Sequence, residues 1–253
     1  MNKKVLFLSI SILSLVFFFV FSVVVKKHSL DTFDFNTTVH FQDHTPLGLD
    51  KIYPVFSFLA SIQSMSVLLI VLLLFRKKLN GIYILLLFYA SHAVELFGKV
   101  FIHHPPPPFM FYKHLDATSM GFEKSYVQAG SSYPSGHSFR VVFVAILFAY
   151  TVYMAKRLSP PIKIILLSLT ALFVTLVCIS RVSLGEHWST DVIGGVLFAV
   201  GMGFIGLLVI EPRRRDMKPV LAKNNDTKLK AIHASRKKLL EELKELDKLE
   251  KKL

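Results

Sequence analysis

The chain has few of the residues that build disulfides and metal sites. Its single cysteine, Cys178, lies inside an apolar run, so an internal disulfide is excluded and a small core residue is expected. It lacks an H-E-x-x-H sequence, a carboxylate cluster and a cysteine pair. The side chains that could still ligate a metal lie among basic residues that oppose a cation: His103, His104, His137, His187 and Asp191. We therefore predict neither a metal ion nor another cofactor.

Charged residues are also scarce, and long apolar runs take their place. Charged residues make up 19% of the 253 residues and hydrophobic residues 53%, with a mean hydropathy of +0.51. These values are typical of a membrane protein. Because about 20 apolar residues cross a bilayer as a helix, we predict an all-α bundle of six transmembrane helices: Val5–Val25, Ile52–Phe75, Ile82–Phe101, Phe139–Met154, Ile162–Ile179 and Val192–Ile210.

The basic residues predict how this bundle is oriented. Clusters at Lys3–Lys4, Arg76–Lys78, Lys156–Arg157 and Arg213–Arg215 fall on one face, whereas the other face carries scattered basic residues on longer loops. Since cytoplasmic loops are enriched in Lys and Arg, we predict a plasma (inner) membrane protein with both termini in the cytoplasm. The first run lacks an A-x-A-like cleavage site near Ser22–His28, so we interpret it as a retained helix and not as a signal peptide.

The net charge of +13 is concentrated at the end of the chain, where 14 of the 30 Lys and Arg residues follow Ile210. A basic segment beside a membrane span favours anionic lipid head groups over nucleic acid. We predict a membrane domain over residues 1–212 and a basic cytoplasmic tail over residues 213–253. In the tail, an interrupted heptad pattern over Lys228–Leu253 predicts either an amphipathic helix or a short coiled coil that joins a homodimer.

Two polar segments at the ends of apolar runs carry the candidate chemistry: SYPSGHSFR at residues 132–140 and SRVSLGEHWSTD at residues 180–191. His187 and Asp191 are four residues apart, so on a helix they share one face. The carboxylate can then hold one ring nitrogen while the other attacks phosphorus. Taken alone, the same spacing also fits an ordinary hydrogen-bonded pair at the membrane interface.

Further residues of these segments suit phosphoryl transfer without a metal. His137 is a candidate general acid and base. Ser135 and Gly136 precede an apolar helix whose first N–H groups suit a phosphate. Arg181 and Lys99 offer positive charge to its oxygens.

The sequences PSGH and S-R-x5-H-x3-D resemble the second and third motifs of the type 2 phosphatidic acid phosphatase (PAP2) superfamily, and the resemblance spans Lys99 to Asp191. It implies a six-helix membrane phosphatase with its site at the extracytoplasmic face. The implied reaction is hydrolysis of a lipid phosphate or diphosphate through a phosphohistidine at His187, with Asp191 orienting that ring and His137 serving as acid and base. The implied phosphate ligands are Lys99, Ser135, Gly136 and Arg181. Undecaprenyl diphosphate, phosphatidylglycerophosphate and phosphatidic acid are candidate substrates.

One position departs from the family pattern. The first family motif resembles K-x6-R-P, but the residue seven positions after Lys99 is Pro106. We hypothesise that Arg140, one helical turn after the PSGH histidine, or else His104 or His103, replaces the missing phosphate donor. The departure leaves two alternatives open, a non-catalytic lipid-binding protein on the same fold and a lipid phosphotransferase.

Overall fold

The computed structural model of the chain describes residues 3–76, 81–113, 131–210 and 227–242. Within Met1–Ile210, the regular elements in these ranges are all helical, which confirms the predicted all-α class. Besides a short 3-10 helix at Phe109–Phe111, they are α1 (Lys3–Lys26), α2 (Asp31–His44), α3 (Leu47–Asp50), α4 (Tyr53–Leu59), α5 (Ile62–Arg76), α6 (Gly81–Phe101), α7 (Gly136–Met154), α8 (Pro160–Ser183) and α9 (Ser189–Ile210).

Five of the described helices are long and apolar enough to cross a membrane, namely α1, α6, α7, α8 and α9. Helices α4 and α5 provide a sixth crossing if they count as one span, although they are bent by 54°. The second span, predicted as continuous over Ile52–Phe75, is therefore interrupted. The interruption has local causes that hydropathy does not detect. The Ser61 hydroxyl accepts the Ser64 amide at 3.2 Å and starts a new helix, while the Ala60 carbonyl accepts Arg140 Nε at 3.2 Å.

Helices α7, α8 and α9 extend beyond their apolar runs into the polar motifs. Helix α7 begins at Gly136 instead of Phe139, and α8 ends at Ser183 instead of Ile179. Hydropathy locates the apolar middle of a span, whereas polar caps such as Ser135 determine where the helix begins. As a result, four of the predicted site residues belong to terminal helical turns: Gly136, His137, Arg181 and Asp191.

Helix α9 packs against both α1 and α7 at the centre of the bundle. The hydroxyls of Ser11 and Ser14 on α1 donate to the carbonyls of Gly201 and Leu197 on α9, at 2.9 and 2.7 Å. Small residues and such hydrogen bonds are how membrane helices approach closely. The fully buried core beside them contains Phe88, Phe139, Phe143, Leu147 and Ala199.

The segment between the first two spans forms α2, which covers the ends of α8 and α9. The Thr37 hydroxyl lies 2.8 Å from that of Ser189, and the Gln42 amide donates to the Ser183 carbonyl at 3.1 Å. Helix α2 therefore borders the same end of the bundle as the polar motifs.

The chain divides into two compact units, Met1–Ile210 and Glu211–Leu253. In the second unit, residues 227–242 form a helix in which every residue is exposed, including Leu229, Ile232 and Leu239. The rest of the predicted tail helix, beyond residue 242, lies outside the described residues. The coiled coil and the homodimer stay predictions.

Candidate active site

Asp191 lies in the first turn of α9 and faces His187, which precedes that helix. His187 Nδ1 lies 3.4 Å from Asp191 Oδ2, and the Trp188 backbone N–H donates to the same oxygen at 2.9 Å. The sequence predicted both residues on one helical face, but the structure holds His187 in the turn between α8 and α9. The four-residue spacing still brings the His187 ring to the Asp191 carboxylate, because the turn contacts the first turn of α9 through that carboxylate.

The turn that carries His187 depends on Gly185. This residue has a φ of +70°, and a Cβ atom there would lie 2.1 Å from the Phe111 carbonyl oxygen. Glycine tolerates both the positive φ and the close approach. The backbone amides of Glu186 and His187 then donate to the Arg181 carbonyl at 3.1 and 3.2 Å. The C-terminus of α8 thus positions the candidate nucleophile.

The N-terminus of α7 lies beside this pair. The Ser135 amide donates to the Asp191 carbonyl at 3.0 Å, and the Ser135 hydroxyl accepts the Ser138 amide at 3.5 Å as a helix cap. His137 lies in the first turn of α7 and is partly buried. Four charged or titratable groups are close enough to His137 to influence it: Arg181, Arg140, His187 and Lys99. The structure therefore gathers both predicted catalytic histidines and the predicted cations at one end of the bundle.

Arg181 is fully buried, unlike an arginine that extends to the membrane surface. Its Nη1 donates to the Ser57 hydroxyl at 2.8 Å and to the Glu186 carboxylate. Its Nη2 donates to the Ser180 hydroxyl at 3.1 Å. Its Nε donates to the same hydroxyl at 3.3 Å, so these contacts fix the plane of the guanidinium and use four of its five N–H groups. Arg181 can then offer a phosphoryl oxygen its positive charge and the remaining Nη2 N–H.

Glu95 was not among the predicted residues, yet it is the counter-charge of the basic group. Its nearly buried carboxylate lies 2.8 Å from His92 Nδ1, 3.5 Å from Lys99 Nζ and 3.6 Å from Arg140 Nη1. It also touches the start of α7, because a Cβ atom at Gly136 would lie 2.2 Å from Glu95 Oε1. Arg140 as the replacement for the missing phosphate donor stays a prediction. The structure pairs Arg140 with Glu95 at 3.6 Å, much as it pairs Lys99 with Glu95 at 3.5 Å.

His104, the other predicted substitute donor, lies behind Asp191. Its Nδ1 is 2.9 Å from Asp191 Oδ1, and its Nε2 is 3.7 Å from Asp34 Oδ2. Burial lowers the pKa of the His104 imidazole, but the hydrogen bond and the charges of the two aspartates outweigh burial and raise that pKa above its ordinary value. Both ring nitrogens of His104 face carboxylates in this arrangement, and its role as a phosphate donor stays a prediction. His103 is exposed.

Asp34 reaches the site from α2. Its carboxylate accepts the Thr190 amide at 2.8 Å and the Thr190 hydroxyl at 2.6 Å, so it caps α9 from a distant part of the chain. Burial raises the pKa of the Asp34 carboxyl, and the two Thr190 hydrogen bonds oppose that rise. Asp34 and the His104 ring thus stabilise the helical turn that carries Asp191.

Sequence reasoning missed Glu95, Asp34, Glu186 and Ser57. A signal existed for Glu95, since a carboxylate inside an apolar span usually has a function or a partner, and Lys99 follows it by one turn. The importance of Asp34 depends on the packing of α2, which carries no sequence signature. In the part of the chain that the structure describes, no group of three or more His, Cys, Asp or Glu residues is arranged to hold a metal ion.

The PAP2 superfamily model matches residues 79–215, which include α6 to α9 and all of the predicted site residues. The chain belongs to the PAP2 superfamily. It is 32% identical over 179 residues to dolichyldiphosphatase 1 of Dictyostelium discoideum, covering 69% of this chain and 70% of that protein. It is 30% identical over 128 residues to phosphatidylglycerophosphatase B of Bacillus subtilis (strain 168), covering 51% and 56%.

A crystal structure of the first transmembrane PAP2-type phosphatidylglycerolphosphate phosphatase from Bacillus subtilis has the same fold. It superposes with a TM-score of 0.61 at 21% identity, covering 79% of this chain and 94% of that one. The family and the fold confirm the predicted PAP2 superfamily, its membrane architecture and a phosphatase activity. The N-terminal residues that contact the site, Asp34 and Ser57, lie outside the segment that matches the family model.

Proposed function

We propose that the chain is a metal-independent phosphatase that hydrolyses a lipid phosphate or diphosphate through a phosphohistidine at His187. The main support is the contact between His187 Nδ1 and Asp191 Oδ2 at 3.4 Å. A carboxylate at Nδ1 keeps the proton on that nitrogen and leaves Nε2 with its lone pair, which is the state of an imidazole that attacks phosphorus.

The first chemical step would form the phosphoenzyme. The lone pair of His187 Nε2 attacks phosphorus and forms a P–N bond, while the bond from phosphorus to the leaving oxygen breaks. His137 gives its proton to that oxygen, so the leaving group departs as an alcohol or a lipid monophosphate. Asp191 offsets the positive charge that develops on the His187 ring.

The second step would release inorganic phosphate. His137, now neutral, takes a proton from water while the water oxygen attacks phosphorus, and the P–N bond breaks. The bonding electrons return to His187 Nε2, so both histidines regain their starting states. During both steps the phosphoryl oxygens would lie against Arg181, Lys99 and the first amides of α7 near Gly136, where donors of fixed orientation stabilise developing charge.

The surroundings of the site favour a lipid as substrate. The helices that carry the site residues expose large apolar side chains on their outer faces: Leu86, Phe97, Phe101, Ile164 and Leu169. A phosphorylated head group at the end of this bundle can approach while its chain stays in the bilayer. The two named relatives act on dolichyl diphosphate and phosphatidylglycerophosphate, as their names state. We favour an isoprenoid diphosphate or phosphatidylglycerophosphate for this chain.

The distribution of basic residues supports cytoplasmic termini and a site at the extracytoplasmic face of a plasma (inner) membrane. The tail supports a further proposal. Its helix exposes Leu229, Ile232 and Leu239, which would be covered if two tails paired in a homodimer.

The proposed function is tested by phosphate release from the purified protein in detergent, with EDTA present throughout. The panel contains undecaprenyl diphosphate, phosphatidylglycerophosphate and phosphatidic acid. We expect release from at least one lipid, abolished by His187→Ala and unaffected by His44→Ala, which changes an exposed histidine on α2. Absence of release from every lipid, or full activity of His187→Ala, would overturn the proposal.

A further inference from the structure

The carboxylate of Asp191 bridges two imidazoles, one at each oxygen. Asp191 Oδ2 faces His187 Nδ1 at 3.4 Å, and Oδ1 faces His104 Nδ1 at 2.9 Å. The contact with His104 is thus the shorter of the two. Asp191 itself is fully buried, so its charge is shared mainly between these two rings and the Trp188 amide.

The His104 ring is fixed on its far side as well. Its Nε2 lies 3.7 Å from Asp34 Oδ2, and Asp34 is held by the amide and hydroxyl of Thr190. The backbone of His104 is anchored too, because its carbonyl accepts the amide and the hydroxyl of Ser132, at 2.9 and 3.1 Å. The other titratable groups that face the ring are Asp31, Tyr133 and His28, with ring centroids 6.5 Å from Tyr133 and 6.3 Å from His28.

A ring nitrogen can donate a hydrogen bond to a carboxylate only when it carries a proton. An imidazole that lies between two carboxylates therefore donates to both only when both of its nitrogens are protonated. A neutral ring would turn a lone pair toward one of the two aspartates. The geometry therefore favours an imidazolium at His104, with its positive charge between Asp34 and Asp191. That charge competes with the His187 ring for the negative charge of Asp191.

We propose that His104 is a positioning residue that, as an imidazolium held by Asp34, orients Asp191 and weakens its hold on the phosphorylated ring of His187. This inference rests on the proposed function. A phosphohistidine that is less stabilised by its carboxylate is a better leaving group from phosphorus. His104 would therefore speed the second step, in which water attacks phosphorus and the P–N bond breaks.

The proposal predicts a distinctive change in phosphoenzyme lifetime. His104→Asn keeps a neutral N–H donor near Asp191 Oδ1 but removes the positive charge. We expect kcat to fall by about tenfold, the scale on which second-layer partners of a histidine act. KM should fall with kcat and leave kcat/KM unchanged, because kcat/KM reports only the steps up to formation of the phosphoenzyme. Because the second step is the one that slows, the fraction of enzyme trapped as phosphohistidine during turnover should rise.

The pH dependence of phosphoenzyme hydrolysis provides a second readout. His137 acts as a base in this step, so its titration alone makes hydrolysis faster as the pH rises. Loss of the proton from His104 has the opposite effect. We expect the wild-type rate of phosphoenzyme hydrolysis to rise with pH and then to fall again at higher pH. The fall should occur at lower pH in Asp34→Asn and should be absent in His104→Asn.

The experiment uses the full-length protein in detergent and the panel lipid that is hydrolysed fastest, with the label in the transferred phosphate. His40→Asn, an exposed histidine on α2, is the matched control and should leave lifetime and pH profile unchanged. Thermal unfolding checks that His104→Asn and Asp34→Asn both fold. If His104→Asn fails to fold, Asp34→Asn still tests the proposal.

Three results would overturn the inference. Unchanged lifetimes in both variants, with a phosphohistidine present in the wild type, would remove the role of His104 and leave the proposed function intact. A higher KM and weaker vanadate inhibition in His104→Asn, without a longer lifetime, would mean that His104 binds phosphate directly. Absence of any phosphohistidine in the wild type, despite phosphate release, would remove both proposals.

Discussion

The amide of Ser135 donates a hydrogen bond to the carbonyl oxygen of Asp191 at 3.0 Å. This bond joins the N-terminal ends of α7 and α9 and so ties the PSGH segment to the histidine–aspartate pair. The two helices approach this closely because of Gly195, where a Cβ atom would lie 2.5 Å from the Ser135 carbonyl oxygen. The separation of the two candidate catalytic histidines thus depends on Gly195, whose nearest neighbours on α7 are Ser135, Ser138 and Phe139.

Gly195→Ala should therefore separate the two halves of the site. Because the added Cβ atom would meet backbone atoms, which cannot rotate away, α7 and α9 must move apart. A misplacement of about 1 Å in an active site lowers activity by about 100-fold. Phosphate release from a panel lipid measures it. Gly48→Ala is the control, since a Cβ atom there has nothing within 4 Å. Equal activity of the two variants would contradict the role given to the Ser135–Asp191 contact.

Glu95 should matter to stability because it compensates Arg140 inside the bundle. Glu95→Met leaves that guanidinium buried without its counter-charge, which costs about 3–5 kcal/mol. We expect a clear drop in the midpoint of thermal unfolding in detergent. Replacing both Glu95 and Arg140 with Met should reverse most of the drop in the unfolding midpoint, since an apolar pair carries no desolvation penalty.

Glu242→Met removes an exposed carboxylate that lies 3.9 Å from Lys238, and it should leave the unfolding midpoint unchanged. If Glu95→Met were as stable as this control, the account of Glu95 as a required counter-charge would be wrong.

Arg181→Lys should retain the charge and lose the activity. The guanidinium is held in one plane by Ser57, Ser180 and Glu186, and an ammonium group cannot reproduce its paired donors. We expect phosphate release to fall by about 100-fold, the cost of losing a fixed oxyanion donor. Arg157→Lys changes an exposed arginine and should have no effect. Wild-type activity in Arg181→Lys would show that charge alone suffices there.

The raised pKa of His104 also makes stability depend on pH. A histidine whose pKa is higher in the folded state stabilises it fully below the unfolded value of about 6.5. That contribution is lost as the pH rises through the folded value. The stability advantage of the wild type over His104→Asn should therefore shrink from pH 6 upward, as measured by thermal unfolding. A gap that is constant or grows with pH would contradict a positively charged His104.

The apolar runs were sufficient to predict the membrane class, and the two short motifs were sufficient to predict the family and the candidate chemistry. The motifs sufficed because each is contiguous in sequence and lies at the end of an apolar run. The break between α4 and α5 was not predictable from hydropathy, since it depends on a Ser cap and on the Arg140 contact with Ala60.

Sequence alone offered Arg140, His104 and His103 as substitutes for the missing arginine, but it did not show the carboxylates that face Arg140 and His104. Glu95 and Asp34 reach these side chains from α6 and α2, through packing that spans many residues. Local spacing therefore predicted which candidate residues lie together, whereas the charges that surround them could be described only from the fold.

The most direct test of the central claim is to trap the phosphoenzyme. The wild type is quenched in alkali during turnover of a panel lipid with radiolabelled transferred phosphate, with EDTA present, and the labelled residue is mapped. We expect label on His187 that is stable in alkali and lost in acid, and no label in His187→Ala. Continued phosphate release with no label on His187 would contradict it.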